Sequence, residues 1–435
     1  MSSFMQQPLA DAAQRAPHWL QSLQARGLSQ WQGVALPTRR SENWKYTSLR
    51  ALRDDYQLAE ATAEPLESLP VALSEGFSGP CLVFVDGVYQ SAFSDTDMPD
   101  GLSVCRFEEA SDEQAARIAE HLNSALDVSE HQFAALNTAT LRDGVFVDIA
   151  ADAQLLEPLR VLWLLRANER PTAVNQRLLV LAGTGSRAAV VEQFVSLEGA
   201  QASFCNGVTE LLVGANARLT HYRLHEESGE AVHIGGVHAR LERDAHLQGF
   251  HLAFGSVLKR LDLVMHHVGK GAHLDLNGVY LPRHSEHIDY HTTIEHAVPH
   301  CTSDEIFRGI IADKASAVFN GRIHIHPDAQ KTRAELSNRN LLTSADAQVY
   351  SKPELEIYAD DVLCAHGATV AQPDELSLHY LRTRGVSRAE AEVMLSFGFI
   401  NELIEGLEIE SVRAYLRPLL AARFARGSEF SRHSI

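Results

Sequence analysis

One short pattern recurs through the middle of this chain at nearly constant spacing. A polar or small residue precedes an alanine, and a variable residue and usually an apolar one follow. It reads Arg187-Ala188-Ala189-Val190, Asn216-Ala217-Arg218-Leu219, Asp244-Ala245-His246-Leu247, Gly271-Ala272-His273-Leu274, Lys314-Ala315-Ser316-Ala317 and Asp346-Ala347-Gln348-Val349. The alanines lie 29, 28, 27, 43 and 32 residues apart. Periods of this size belong to solenoids, in which each turn stacks on the last. From Asp143-Gly144 onward the intervening sequence is a series of short apolar runs, such as Val145 to Ile149, Arg160 to Leu165 and Arg177 to Leu181, divided by Gly, Asp, Asn and Ala. Runs of that length between turn residues read as strands. A large sandwich and a β-helix both fit, and the repeat favours the β-helix. A coil cannot bury its apolar face alone, so the ends need caps. The flanking helical segments are the expected caps.

These flanks give three expected units: a mainly helical domain over 1–142, the β-helix over 143–372 and a helical domain over 373–435. Leu9, Ala12, Ala16, Trp19, Leu20 and Leu23 share one face of a helix over 8–26, which Gly27 should stop. The segment 37–52 reads as a loop held down by its aromatics, and 55–80 as a loose connection. Leu82 to Tyr89 predicts a short strand turning at Asp86-Gly87. Ser111 with Gln114 forms a capping-box pattern that opens helix to about Ala139. At the other end, Asp374 starts a helix that Gly385 ends. Ser387 with Glu390 caps a second helix, and a third begins near Glu408 with Pro418 placed to kink it. Phe397, Phe399 and Leu403 are the apolar anchors there, divided between internal core and a docking surface.

A net charge of −18 argues against nucleic acid as a partner. No apolar run reaches membrane-spanning length, and the first residues lack the basic and apolar regions of a secretory signal. Cys81, Cys105, Cys205, Cys301 and Cys364 are odd in number and scattered, which predicts free thiols in a reducing cytoplasm. There are 22 histidines, dense from His221 to His326. Surface polarity on a large sheet is the expected role for most of them. His324 and His326 share a strand face, as cupin-type metal sites begin, with His284, His287, His291, His296 and His300 as further donors in no clear spacing. Asp304-Glu305 and Asp360-Asp361 are adjacent carboxylates. On a strand they would point to opposite faces, so turns are the expected setting. No Walker A loop, nucleophile elbow or dinucleotide fingerprint is present.

The segment YSKPELEIYADDVLCAHGAT, Tyr350 to Thr369, carries the sharpest chemistry. Glu354, Glu356 and Tyr358 alternate with Leu355, Ile357 and Ala359, the period of a half-buried strand. After the Asp360-Asp361 break, Val362, Cys364 and His366 share a face, and Gly367 follows. A thiol and an imidazole together are metal-ligand types. A buried cysteine beside a hydrogen-bonded core histidine is the other reading, since two ligands do not close a site.

That segment, with SENWKYTSL, FNGRIHIHPDAQKTRAELSNRNLL (Phe319 to Leu342) and YLRTRGVSRAEAEVMLSFGF (Tyr380 to Phe399), resembles the SufB/SufD family of the SUF iron–sulfur cluster assembly machinery, and within it the SufD branch. The resemblance spans nearly the whole chain. It lacks the close N-terminal cysteine cluster of the SufB branch and has His366-Gly367-Ala368 where that branch has HEA. The family implies a right-handed parallel β-helix between helical terminal domains. It implies a SufB-like partner, the ATPase SufC docked on the C-terminal helices, and a nascent iron–sulfur cluster held transiently at the interface of the pair. It places His366 at that interface, as a candidate metal ligand, with Cys364 as the weaker neighbour. Reduced flavin is associated with the family complex, although no flavin motif is found here. On this resemblance the chain is a scaffold subunit without enzymatic activity, able to pair as a homodimer when alone. A β-helix carbohydrate-active enzyme and a purely structural adaptor are the alternatives.

Overall fold

Two parallel sheets, hydrogen-bonded coil by coil, form the body of the protein. The computed structural model describes residues 16–58, 66–74, 76–166, 170–197 and 202–424. The first sheet runs in order from Leu102–Arg106 through Val145–Ile149, Thr172–Ala182, Ser203–Val213, Val232–Leu241, Leu258–His267, His287–His296 and Ser316–Ile325 to Gln348–Ile357. The second runs from the hairpin of Val88–Tyr89 and Cys81–Val85 through Leu159–Leu165, Arg187–Ser196, Arg218–Glu226, His246–Phe254, His273–Leu281, Thr302–Ile311 and Arg333–Leu342 to Leu363–Ala371. Successive strands alternate between the sheets, so the chain winds as a parallel β-solenoid. The expected mainly-β class and β-helix core are therefore correct. Leu219, Leu247, Leu274 and Leu336 from one sheet meet Leu211, Val237, Leu263, Ile294 and Ile323 from the other in a single continuous core.

All but the first alanine of the repeat mark corners; Ala188 lies within the strand Arg187–Ser196, paired with Leu219. Ala217, Ala245 and Ala272 each precede a strand of the second sheet, and Cys301 takes that place on the next coil. Ala315 and Ala347 precede strands of the first sheet instead, which explains the interval of 43. All of these residues are buried, and each is small. Asn216 and Asp244, one residue before, adopt φ of 57° and 55°, a left-handed turn that Asn and Asp tolerate.

The outer faces are covered separately, because parallel sheets bury both sides. The described helices are α1 (Gln21–Gly33), α2 (Val71–Ser74), α3 (Asp112–His121), α4 (Gln132–Ala139), α5 (Glu375–Thr383), α6 (Arg388–Glu405) and α7 (Glu410–Phe424). Trp31 of α1 and Phe133 and Leu136 of α4 pack on Ala173, Phe204, Ile234 and Leu258 of the first sheet. Ile400, Leu403 and Ile404 of α6, with Val412, Leu416 and Leu420 of α7, pack on Tyr222, Phe250, Leu252 and Val279 of the second. Both capping boxes form, at Ser111–Gln114 and Ser387–Glu390.

Four expectations need correcting. Gly27 does not stop the first helix, which continues to Gly33. A Cβ at Gly27 would lie 2.7 Å from the Ala139 backbone nitrogen, so the glycine is there to let α1 approach α4. Residues 8–15 of that expected helix, and 59–65 and 75 of the expected loose connection, lie outside the described residues. The helix expected from Ser111 to Ala139 is broken between His121 and Gln132. The helices also do not cap the coil ends: they cover faces. The first coil is closed by the antiparallel strand Leu102–Arg106 and the Cys81–Tyr89 hairpin. Finally, Asp304-Glu305 lies within the strand Thr302–Ile311, not in a turn.

Candidate functional site

The other end of the solenoid has no closing strand among the described residues. Its last coil is the pair of strands Gln348–Ile357 and Leu363–Ala371, each the terminal member of its sheet. Leu363 is 74 % exposed and Val370 53 % exposed, while Tyr350, Ile357 and Tyr358 are also open. In the last strand Cys364 pairs with Ala334 and His366 with Leu336. Ala334 and Leu336 belong to the inter-sheet core, so Cys364 and His366 continue that inward row onto a coil with nothing stacked beyond it. Cys364 is half-buried against the core and burial pushes its thiol up, which disfavours thiolate. His366 is exposed. The expected shared face is thus present, and of its two donors the imidazole is the more accessible.

The SENWKYTSL segment frames the same end. Arg260 on the first sheet donates to Asn43 O at 2.7 Å and to Asp289 at 2.8 Å, and lies 4.6 Å from the Trp44 ring. Thr47 donates its hydroxyl proton to Asp289 at 2.5 Å. Tyr46 stacks on Tyr350 at 4.1 Å, and Glu42 meets Lys352 at 3.0 Å. The aromatic-anchored loop therefore clamps the N-terminal region to the last coil. It also roofs a cavity of about 280 Å³ lined by Trp44, His131, His238, Asp262 and His291.

Directly behind the last coil the core turns polar. Ser351 donates to Asn338 Oδ1 at 2.7 Å, Asn340 donates to the same oxygen at 2.7 Å, and Asn338 donates to the Tyr280 hydroxyl at 2.9 Å. Deeper coils carry ions. Glu192 accepts from Thr209 at 2.6 Å and meets His221 at 2.9 Å; burial opposes its charge, but the Arg223 guanidinium, His221 and Thr209 together outweigh it and the carboxyl falls to about 2. Glu227 likewise sits well below its ordinary range despite burial, held by Lys259 at 2.9 Å and His233 at 2.5 Å.

Seven of the sixteen histidines between His221 and His326 are not surface polarity. His221, His225, His233, His238, His251, His267 and His296 are buried; His221, His225, His233 and His251 lie within or beneath these polar networks, while His238 lines the cavity under Trp44. Burial lowers His225, His233, His238, His251, His267 and His296, His267 to about 4, so these rings are neutral. A signal for them exists in the strand alternation: Glu192, Arg223 and His251 occupy inward positions in register with one another. The C-terminal anchors divide. Leu403 is buried against the second sheet and is not available to a partner. Phe397 and Phe399 are half-buried beside it, and Leu376, Tyr380 and Met394 are the exposed apolar residues of these helices. The five cysteines are free, as expected. No described helix is long and apolar enough to cross a membrane.

Comparison with known proteins agrees with this architecture. A family model described as SUF system FeS cluster assembly, SufBD core domain, matches residues 164–399, and one described as SufBD protein N-terminal region matches 3–161. The chain is 31% identical to the iron–sulfur cluster assembly protein SufD of Escherichia coli, over 96% of this chain and 95% of that one. It is 29% identical to an iron–sulfur cluster assembly SufBD family protein of Synechocystis, over 90% and 88%, and 26% identical to SufD of Bacillus subtilis, over 92% and 93%.

Proposed function

The chain belongs to the SufBD family of iron–sulfur cluster assembly proteins, and from that premise we propose that it is a scaffold subunit, without an enzymatic step of its own, that completes a cluster-building site at its uncapped last coil. The partner at that coil is a SufB-like chain, whose terminal strands extend the two sheets and supply the thiolates that iron prefers. His366 contributes its imidazole from this side, as a direct ligand or as a proton acceptor for a partner thiol. Cys364 is secondary, because burial holds it as a thiol. The ATPase SufC docks on the exposed side of α5 and α6, around Leu376, Tyr380, Met394 and the half-buried Phe397. The assembly works in the cytoplasm, and the cluster, with any reduced flavin, belongs to the complex and is not held by this chain alone.

The observation that carries this reading is the row of Cys364 and His366, aligned with core residues yet left open at the end of the solenoid. A carbohydrate-active enzyme is disfavoured by its carboxylates: Asp304 faces outward onto Arg333, while Glu305 is buried within the core. The test is cluster yield from the reconstituted complex. His366→Ala should lower it, with the complex and its ATPase activity intact, because an exposed side chain at an edge removes little core. Cys364→Ser should lower it less. Undiminished yield from His366→Ala in an intact complex would leave the structural adaptor as the better reading.

A further inference from the structure

The outer face of the first sheet carries a second constellation, one coil in from the open end. His266, Glu295 and His324 pair directly with one another across three adjacent parallel strands. Residues in register on neighbouring strands point the same way, so their side chains form a ladder. His326 follows two residues after His324, held by its backbone bond to His296, and returns its ring to the same spot. The Glu295 carboxylate lies 3.5 Å from His266 Nδ1, 3.8 Å from His324 Nδ1 and 3.5 Å from His326 Nε2. The ligand atoms of Glu295, His324 and His326 all lie within 4.8 Å of one another.

These distances are too long for hydrogen bonds and close to the edge of a small metal tetrahedron. Ligands at 2.0–2.1 Å from a central ion stand about 3.4 Å apart. His324 Nδ1 and His326 Nε2 are both shut off from solvent and lack a hydrogen-bond partner within the protein. Buried nitrogens are ordinarily satisfied, so two of them aimed at one carboxylate require an explanation. The rings of His324 and His326 stack at 4.3 Å, which brings the two imidazoles to the same side of Glu295. Arg322, the nearest guanidinium, is committed to Glu356 through two bonds of 3.0 and 2.7 Å.

Two other clusters of similar composition lack these properties. At Cys205, Glu227 and His233 the Lys259 ammonium, 2.9 Å from Glu227, already occupies the place of a cation. At His246, His273 and Asp275 the carboxylate bonds both rings directly, at 2.9 and 3.1 Å.

We propose that Glu295, His324 and His326 bind a divalent first-row transition-metal ion, separate from the surface that carries His366. Two imidazoles and one carboxylate suit zinc or ferrous iron, with solvent completing the coordination, and do not match the all-oxygen preference of magnesium and calcium. The ion would tie two successive coils together just before the last one.

The experiment is anaerobic titration of the untagged full chain with Co²⁺, followed by its visible ligand-field bands, and with Zn²⁺ in competition. The wild type should show a saturable tetrahedral signal that Zn²⁺ displaces. Glu295→Gln, which keeps shape, and His326→Ala, at a half-exposed site, should each weaken binding by at least about tenfold. His273→Ala should leave the signal unchanged, and circular dichroism should show all three variants folded. A wild-type chain without a saturable signal, or a signal that survives both Glu295→Gln and His326→Ala, would overturn the site. So would one lost equally in His273→Ala. None of these outcomes depends on cluster assembly, so failure here leaves the role of His366 standing.

Discussion

Glu305 and the interior histidines set opposing pH dependences inside one core. Burial pushes the Glu305 carboxyl up to about 8, so the folded chain keeps a proton that the unfolded chain releases near 4.5. Its contribution is complete below about 4.5 and is lost as pH rises through about 8. Glu305→Gln should therefore raise the urea midpoint at pH 8 relative to wild type, on the order of 1 kcal/mol, and bring little gain at pH 5. His267 acts in the other direction. Its folded value of about 4 lies below the ordinary 6.5, so the unfolded chain takes up the proton first and stability falls as pH drops from 6.5 toward 4. Urea midpoints of wild type should thus decline on both sides of a maximum near neutrality, and His267→Asn should flatten the acid limb. At the surface, His366 carries no comparable folding role, which is why its replacement tests function cleanly.

At the scale of elements, the helices act as covers whose fit is set by small contacts. Gly27→Ala places a methyl 2.7 Å from the Ala139 nitrogen and 2.9 Å from the Ala135 oxygen, both rigid backbone atoms. Separating α1 from α4 should cost about 1–3 kcal/mol, read as a lower thermal midpoint, with the solenoid strands intact by circular dichroism. On the opposite sheet Leu416 is fully buried in the seam between α7 and the strands. Leu416→Ala should cost about 2–5 kcal/mol. Removal of everything after Pro373 uncovers Tyr222, Phe250, Leu252 and Val279 together. The truncated chain should bind a hydrophobic dye or aggregate, since a contiguous apolar face of that kind is not left bare in water. Loss of ATPase binding on such a truncation must therefore be compared with an exposed-surface variant such as Tyr380→Ala before it is assigned to docking.

Among the described residues the molecule is a solenoid closed at one end and open at the other. The closed end uses antiparallel strands, which change direction and so terminate stacking. The open end presents two sheet edges side by side, with Leu363, Val370, Tyr358 and Ile357 around them. Unpaired strand edges of this length are natural pairing sites. The full chain at high concentration should sediment as a pair with itself or, when supplied, with a SufB-like chain, over an interface above about 1,000 Å². Val370→Lys should return it to a monomer without altering its circular dichroism. A wild type that stays monomeric in both settings would remove the open end as the interface.

The sequence alone determined the solenoid, because a corner filled by a small residue recurs from coil to coil and leaves its period in the chain. It also determined the cap residues Ser111, Ser387 and Asp374, whose bonds are local, and the row of Cys364 and His366, which follows from two-residue alternation within one strand. Only the tertiary structure decided that Gly27 is a contact rather than a stop, since Ala139 lies far away in sequence. It alone showed that seven of the histidines are buried: a polar residue at an inward position looks the same in sequence as one facing water until its partners on other coils are known. The same holds for Glu295, His266, His324 and His326, whose register is fixed by strand pairing between coils. Leu403 is the last example. A helix reveals which of its faces is apolar, but whether that face meets its own sheet or another protein depends on what the rest of the fold has left uncovered.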